Sequence, residues 1–430
     1  MASRSIETVT ILGAGGRMGS LTGGLAAQNG LKVFFLSRTV ENAKRGLKRA
    51  INQARSEYIS KNIFCASYDD YLDNAIHQTD WIIECVSEDI EVKKEMYKKI
   101  DVLRQPDTVI STMSSSLPLR ELCKECSEGF KRNFLGVHFY NPPSKLLACE
   151  LASTPQTDPT LIPFMEYFLS KKLNREIIKT FDVPAYIGNR VAFVFLAALT
   201  KLAEESNVET IDYLFGPFTG RAMPPLATLD LVGLDIHQAI IMTLKNVVKD
   251  FAGEFLTIPA YLQNLITKGC LGNKTPDKGG FYRKDALGNR LSLQIKDLSY
   301  RSIKMPRFPF IEAVIAKIRI GKYREAFDYL LSVEQPEADI IRKMLALYIS
   351  YSYSCIGKIS DLKEGIKPID RVMGFGFNWA PPSVLVNIMG GPNTIKDVMT
   401  RYSIPVPSTL INDNMPVSDI AHWGRFFIAK

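Results

Sequence analysis

The sequence predicts an α/β Rossmann-like nucleotide-binding domain followed by an all-α C-terminal part. Three observations support this fold: a glycine-rich turn directly after a first short strand, strands that alternate with helical segments up to about residue 180, and helical periodicity beyond it. Alternating strands and helices indicate a parallel sheet covered on both faces. With 430 residues, 46% of them hydrophobic, the chain is long enough for two or three domains with cores of their own.

The predicted strands are short apolar runs rich in β-branched and aromatic residues. The first, TVTILG at 8–13, breaks into glycines, and a helical pattern follows from about Arg17. Further strands are predicted at 32–37, 81–86 and 108–115. Segments with helical periodicity lie between them, for example the one at 88–103.

Beyond about residue 180 we expect no further strands, because apolar residues then recur with a 3.6-residue period. The predicted organisation is a Rossmann dinucleotide-binding domain at 1–183, a helical domain at 184–285, an extended polar connector at 286–309 and a second helical block at 310–430.

The last block resembles the middle one. Segments 211–235 and 369–393 share an Ile-Asp pair, a turn rich in Gly and Phe, a Pro-Pro pair and a closing glycine, in the same register within one residue. Such self-similarity predicts an internal duplication of a helical unit.

Charge and cysteine content favour a small anionic ligand and a cytoplasmic location. The net charge is +8, but basic residues are spread among acidic ones, which favours a polyphosphate-bearing small molecule over nucleic acid. Seven scattered cysteines indicate reduced thiols. Cys123 and Cys126 have the spacing of a redox or zinc half-site, but no second pair completes it, so we expect no metal. Neither a secretory signal nor a membrane-length apolar run is apparent, so we expect no membrane association.

The glycine-rich turn is the first candidate binding site. Such a turn lets backbone N–H groups at a helix start approach a pyrophosphate. Counting back from Gly19 places the fingerprint positions at Ala14, Gly16 and Gly19, and the loop is one residue longer than usual. The candidate cofactor contacts here are Gly13, Ala14, Gly15, Gly16, Arg17, Met18 and Gly19. A tight turn without a ligand is the alternative.

The end of the second strand bears on the choice of cofactor. A dinucleotide fold normally has an acidic residue there to hold the ribose diol. This chain has Ser37, Arg38 and Thr39 instead, and these groups suit a ribose 2′-phosphate better. We therefore expect NAD or NADP with a slight preference for NADP, and a solvated Arg38 is the alternative.

His138 and Glu150 lie at the two ends of a hairpin-like apolar segment that contains a Pro-Pro pair. The chain has only four histidines. Taken alone, a histidine in this position is more often a satisfied core residue than a catalytic one.

Five motifs together resemble the 3-hydroxyacyl-CoA dehydrogenase family. They are the glycine turn, IIECVSEDIEVKKEMYKKID at 82–101, STMSSSLP at 111–118, GVHFYNPPSKLLACELASTP at 136–155 and DVPAYIGNRVAFVFL at 182–196, in the order and spacing of that family. The resemblance extends over the whole chain, because some members carry a second, degenerate copy of the helical C-terminal domain after an extended connector. No enoyl-CoA hydratase segment flanks these motifs, so we expect a stand-alone form.

The resemblance implies interconversion of 3-hydroxyacyl-CoA and 3-oxoacyl-CoA with a nicotinamide cofactor, a step of fatty acid metabolism. His138 would abstract the proton of the substrate 3-hydroxyl, and Glu150 would hold the ring and stabilise the imidazolium. The other residues that match family positions are Ser115 and Asn189 at the reacting oxygen, Glu88 and Lys93 near the cofactor ribose and pyrophosphate, and Asn141 as a further site residue.

Two departures from the family pattern and two rival functions accompany this hypothesis. Met113 stands where the family usually has Asn, and the ribose-binding acid is missing. The rivals are a related Rossmann dehydrogenase acting on a small hydroxy acid or carrier-bound acyl group, and a non-catalytic cofactor-binding interaction protein. Because the family usually forms a two-fold dimer through its helical domain, a second copy within one chain predicts a monomer with an internal pseudo-dimer, or else a homodimer.

Overall fold

The structure, a computed structural model, describes residues 4–412, 420 and 422–427. It has two compact units. The first runs to Tyr186 and also includes Phe375–Phe377, and the second contains Ile187–Gly374 and resumes at Asn378. The first unit therefore includes a three-residue segment from far along the chain. The domain boundaries expected at 183, 285 and 309 stay predictions.

An eight-stranded sheet forms the centre of the first unit. Its strands are β1 (Thr8–Leu12), β2 (Lys32–Ser37), β3 (Ile63–Ser67), β4 (Trp81–Glu84), β5 (Val109–Thr112), β6 (Phe134–Phe139), β7 (Ala148–Ala152) and β8 (Glu176–Thr180). Their spatial order is β3-β2-β1-β4-β5-β6-β7-β8, and all neighbours are parallel except β6 and β7. The predicted parallel sheet is confirmed from β1 to β6. Strands β7 and β8 run the other way because a hairpin connects β6 to β7.

Helices accompany this sheet on both faces. They are α1 (Arg17–Gln28), α2 (Val40–Ala54), α3 (Tyr68–His77), α4 (Ile90–Leu103), α5 (Leu119–Leu122), α6 (Glu128–Arg132) and α7 (Leu161–Lys171). Two separate apolar clusters result: Ile11 of β1 belongs to one and its neighbour Leu12 to the other. Strand β1 is therefore buried on both faces, as expected for an inner strand of a parallel sheet.

The second unit is mainly helical. Its helices are α8 (Gly188–Leu202), α9 (Val208–Leu214), α10 (Pro225–Val232), α11 (Leu234–Val247), α12 (Ala260–Thr267), α13 (Pro309–Arg319), α14 (Tyr323–Ser332), α15 (Pro336–Ser354), α16 (Lys367–Gly376), α17 (Pro382–Ile388) and α18 (Pro392–Arg401). Nearly every residue of α8 is buried, and α15 is buried over most of its length. Helices that are apolar all round lie in the core.

The expectation that strands end near residue 180 is wrong. Three short strands, β9 (Tyr282–Lys284), β10 (Arg290–Leu293) and β11 (Tyr300–Ser302), form an antiparallel sheet. The first lies at the end of the expected helical domain, and the other two lie in the expected extended connector. Strands of three or four residues are too short for a two-residue apolar period to stand out in the sequence. Buried Asp230 fixes this sheet to the first helical block, because it accepts hydrogen bonds from the N–H groups of Phe281 and Tyr282 at 2.8 Å each.

The two segments with similar sequence have similar local structure. Asp212 accepts a hydrogen bond from the N–H of Leu226, directly after the first Pro-Pro pair, at 2.7 Å. Asp370 accepts one from the N–H of Ser383, directly after the second pair, at 3.1 Å. In both segments a buried aspartate therefore caps the helix that begins at the Pro-Pro pair.

The same two segments also contact each other within the second unit. An antiparallel bridge joins Arg221 to Trp379, and the N–H of Ala380 donates to the carbonyl of Gly220 at 2.6 Å. Arg221 and Trp379 occupy equivalent positions in the two segments. Contact between equivalent positions is what a pseudo-two-fold axis produces. The duplication itself stays a prediction.

Among the described residues, no single helix is both long and apolar enough to cross a bilayer. One bent pair, α10 with α11 at 98°, meets the criteria of length and composition only.

Candidate active site

Strands β6 and β7 place His138 directly opposite Glu150 in antiparallel register. His138 Nδ1 lies 2.7 Å from Glu150 Oε2. The Glu150 side chain is fully buried, whereas that of His138 is 14% exposed, so the ring can reach a ligand while its partner cannot. The hairpin thus turns a separation of twelve residues into a cross-strand contact on one face of the sheet.

The glycine-rich turn lies at the same edge of the sheet. Strand β1 stands between β2 and β4, where the strand order reverses, and the turn follows its carboxyl end. Strands β4, β5 and β6 are parallel to β1, so the loops that follow them share this edge. In open α/β sheets, ligands bind in the crevice at such a switch point.

Close approach of the backbone requires glycine in this turn. Gly13 has φ +86°, and an added Cβ would lie 2.4 Å from the carbonyl oxygen of Cys85. Its N–H donates to the Tyr68 hydroxyl at 2.8 Å. Helix α1 begins at Arg17 with Gly16 as N-cap, and no side chain caps it. The uncapped N–H groups at this helix start suit the pyrophosphate of a dinucleotide.

The three residues after β2 have different surroundings. Ser37 is buried and faces the glycine turn, since an added Cβ at Gly15 would lie 2.9 Å from its hydroxyl oxygen. Arg38 is exposed. Thr39 is the N-cap of α2, and its hydroxyl accepts from the N–H of Asn42 at 3.2 Å. The Thr39 hydroxyl therefore has a structural role that the sequence did not indicate.

Several cations gather around the glycine turn. Arg49 donates to the carbonyl of Gly15 at 3.0 Å. Burial and the charges of Arg45 and Arg17 lower the pKa of Arg49. Among the ion pairs of the described residues, none involves Arg17, Arg38, Arg45 or Arg49. These arginines are not neutralised by ion pairs among the described residues, so their positive charge suits an anionic group.

A buried charge network lies after β4. Lys93 of α4 is 1% exposed and its Nζ lies 2.8 Å from Oε1 of Glu84, which is fully buried. The hydroxyls of Tyr97 and Thr112 donate to Oε2 of Glu84 at 2.7 and 2.8 Å. Burial opposes the charge of Lys93, but Glu84 and Glu88 outweigh it and raise the pKa of this amine. Glu84 was not among the predicted site residues, although a carboxylate that ends an apolar strand was a usable signal.

Glu88 joins this network from the loop after β4. It accepts hydrogen bonds from the hydroxyls of Ser114 and of Ser116, the latter at 2.5 Å, and its Oε2 lies 3.4 Å from Lys93 Nζ. Burial would raise the pKa of Glu88, but Lys93 and the two hydroxyls outweigh it, so the pKa is lowered. The two predicted residues Glu88 and Lys93 are therefore in direct contact.

The remaining predicted residues are placed as follows. Ser115 lies in the loop after β5, and its carbonyl accepts from the N–H of Ala185 at 2.5 Å. Asn141 directly follows Tyr140 after β6, and its buried Oδ1 has no hydrogen-bond partner among the described residues. Asn189 lies in the first turn of α8, in the second unit. The site roles of these three residues stay predictions.

Two tyrosines that were not predicted lie beside His138. The Tyr140 hydroxyl donates to Glu150 Oε2 at 2.7 Å. Tyr186, buried, has its ring 6.0 Å from that of His138, and its hydroxyl occupies the space that an added Cβ at Gly136 would fill. No pattern in the sequence distinguished either tyrosine from a core aromatic.

Two family models match the chain. The model of the 3-hydroxyacyl-CoA dehydrogenase NAD-binding domain matches residues 8–183, and that of the family's C-terminal domain matches residues 186–284. The chain belongs to the 3-hydroxyacyl-CoA dehydrogenase family. The expected family is thereby confirmed, together with a nicotinamide-cofactor-binding first domain.

Relatives in sequence agree with this family. A probable 3-hydroxyacyl-CoA dehydrogenase of Bacillus subtilis is 27% identical over 404 residues, which cover 87% of this chain and 50% of that protein. The mitochondrial hydroxyacyl-coenzyme A dehydrogenase of Sus scrofa is 27% identical over 299 residues, which cover 65% of this chain and 91% of that protein. The chain thus spans only half the length of the Bacillus relative.

Solved structures show the same fold. The 3-hydroxybutyryl-CoA dehydrogenase of Escherichia coli K12 has a TM-score of 0.66 at 19% identity, covering 95% of this chain and 98% of that one. The (S)-3-hydroxybutyryl-CoA dehydrogenase of Ralstonia eutropha has a TM-score of 0.53 at 26% identity, covering 63% of this chain and 97% of that one. The first of these likenesses extends over the second helical block as well.

Proposed function

We propose that this chain interconverts 3-hydroxyacyl-CoA and 3-oxoacyl-CoA with a nicotinamide cofactor. The observation that carries the proposal is the 2.7 Å contact between His138 and Glu150, at the sheet edge that also holds the glycine turn. The family membership and the names of the relatives support the acyl-CoA substrate.

The proposed chemistry assigns the proton to His138. With Nδ1 directed at Glu150, the opposite ring nitrogen Nε2 is the group that takes the proton of the 3-hydroxyl in the oxidative direction and returns it in the reductive direction. The buried carboxylate of Glu150 orients the ring and offsets the charge of the imidazolium that forms when His138 takes the proton. The nicotinamide cofactor, when bound, accepts or supplies the hydride at the same carbon.

The other predicted residues bind and orient. The glycine turn provides close backbone approach, and Glu88 and Lys93 are in contact beside it. We assign Ser115 and Asn189 to the reacting oxygen and Asn141 to the cofactor side of the site. These assignments rest on the family resemblance.

We further propose a preference for NADP(H) over NAD(H). A carboxylate after the second strand would repel a 2′-phosphate, whereas Ser37 and Arg38 offer a hydroxyl and a cation. The neighbouring charges of Arg17, Arg45 and Arg49 add to the attraction. One charge-assisted contact of about 1.5–3 kcal/mol corresponds to roughly ten- to a hundred-fold discrimination.

Steady-state assays test both proposals. A panel of 3-oxoacyl-CoA esters of graded chain length, offered with NADH and with NADPH, should show turnover, with kcat/KM at least as high for NADPH. Ser37→Asp combined with Arg38→Gln should shift the preference towards NADH. Lack of turnover on every ester would contradict the first proposal, and a wild type that strongly prefers NADH would contradict the second.

We propose, as well, that the second helical block is a copy of the first and takes the place of a dimer partner within one chain. The paired aspartate caps and the bridge between Arg221 and Trp379 support this. A monomer in solution is the expected state, and light scattering measures it.

The free state of all seven cysteines supports a cytoplasmic location.

A further inference from the structure

Tyr140 donates a second hydrogen bond to the buried carboxylate of the pair. Its hydroxyl lies 2.7 Å from Glu150 Oε2, the same oxygen that lies 2.7 Å from His138 Nδ1. The Tyr140 and His138 rings meet edge to face, with centroids 5.0 Å apart and planes at 70°. One carboxylate oxygen therefore serves two neighbouring groups on the same face of the hairpin.

The Tyr140 ring also contacts a segment that is distant in sequence. Phe377 meets it edge to face at 5.4 Å. An added Cβ at Gly376 would lie 3.1 Å from two carbon atoms of the Tyr140 ring, so the backbone packs directly on it. Gly376 is the last residue of α16 and Phe377 follows it directly. Both belong to the first compact unit. Tyr140 is buried and contacts both this segment and His138.

We infer that Tyr140 is a positioning residue for the proposed reaction, and that Gly376 and Phe377 set its position. A hydroxyl that donates a hydrogen bond to a carboxylate stabilises the negative charge of that carboxylate. Glu150 then attracts an imidazolium less strongly, so His138 releases the proton it has taken from the substrate more readily before the next turnover. Phe377, which belongs to the first compact unit, thereby contributes to the site. The catalytic consequence, though not the hydrogen bond, rests on the proposed function.

Replacing Tyr140 by Phe removes the hydroxyl and keeps the ring. In the oxidative direction, the acidic limb of the pH profile of kcat/KM should move to higher pH, because Oε2 then holds the protonated ring more strongly. At neutral pH kcat should fall about ten-fold. The KM for the cofactor should stay unchanged. Tyr167→Phe on α7, where the side chain is exposed, is the matched control and should change neither quantity.

Proton NMR of the His138 Nδ1–H tests the hydrogen bond without substrate. This resonance should move downfield in Tyr140→Phe, because Oε2 loses its competing donor. Phe377→Ala should also move the Nδ1–H resonance downfield in the wild-type background, because Tyr140 is then held less firmly against Glu150. In the Tyr140→Phe background the same substitution should have no effect. Full independence of the two substitutions would contradict the role of Phe377.

The outcomes distinguish a failure of the positioning role from a failure of the proposed function. An acidic limb that does not move, or an Nδ1–H resonance that is the same in wild type and Tyr140→Phe, would overturn the inference. The Nδ1–H resonance could differ between wild type and Tyr140→Phe while the wild type turns over none of the 3-oxoacyl-CoA esters. That result would support the positioning role and contradict the proposed function.

Discussion

At the scale of single residues, the site depends on buried charges that are fully paired. Glu84 is buried with four donors around its carboxylate: the N–H of Val86, the Lys93 amine, and the hydroxyls of Tyr97 and Thr112. A buried charge is tolerated only when it is paired and hydrogen-bonded. The network fixes Lys93, and through it Glu88, at the edge of the sheet where the cofactor is expected.

Glu84→Gln should therefore destabilise the protein strongly. It would leave Lys93 buried with only Glu88 as a counter-charge, and breaking a buried ion pair costs about 3–5 kcal/mol. Denaturant unfolding measures the change. Glu95→Gln is the matched control, since Glu95 pairs with Lys98 on the exposed face of the same helix, and it should cost less than about 0.5 kcal/mol. Equal effects of the two substitutions would contradict the account of the network.

At the scale of elements, strands with a strong apolar pattern were predictable, and the rest required tertiary context. Strands β1, β2, β4 and β5 were predicted from short runs of apolar and β-branched residues. Strand β3, with the sequence IFCAS, is an edge strand with an exposed Phe64, so its apolar signal is weak. The sheet of β9 to β11 is held by Asp230, a contact across some fifty residues that no local pattern reveals.

The site shows the same division. The glycine turn, His138 and Glu150 belong to local motifs, so sequence could indicate them. The contacts of Tyr140 depend on the pairing of two strands, which brings it to Glu150, and on Phe377, which is far along the chain. A short segment of sequence reveals neither contact.

Gly13→Ala tests the turn between β1 and α1. A residue with a Cβ at φ +86° is strained by roughly 1–2 kcal/mol. The Cβ would also collide with the Cys85 carbonyl. We expect weaker dinucleotide binding by at least about ten-fold, in addition to a lower Tm.

Gly30→Ala is the matched control for this prediction. Gly30 has φ +81°, with nothing within 4 Å of an added Cβ, so only the backbone strain applies. It should lower Tm less and leave the Kd of the dinucleotide unchanged. Equal losses of affinity in both variants would contradict the account of the turn.

At the scale of the whole molecule, stability should depend on pH through His237. This residue of α11 is fully buried, its ring stacks on that of Phe193, and neither ring nitrogen has a hydrogen-bond partner among the described residues. Burial lowers the pKa of His237 from 6.5 to about 3. Below pH 6.5 His237 therefore binds a proton in the unfolded chain but stays neutral in the folded chain. Stability is lost as pH falls from 6.5 towards 3.

Between pH 7 and pH 5 this single group should cost about 2 kcal/mol of unfolding free energy. His237→Phe should remove that part of the pH dependence, whereas His77→Gln, at an exposed histidine of α3, should leave it intact. Denaturant unfolding of the three proteins at both pH values gives the comparison. A variant at position 237 with the pH dependence of the wild type would contradict this assignment.

The most direct test of the central claim is the turnover number of His138→Gln, measured together with the Kd of the cofactor. Loss of a general acid–base group should lower kcat by roughly 10²–10⁴-fold. Cofactor affinity should barely change, because His138 is assigned to the substrate proton. Glu150→Gln should also slow turnover, since a neutral amide cannot offset the charge of the imidazolium. A His138→Gln variant that keeps the wild-type kcat would contradict the assignment of the pair and with it the proposed mechanism.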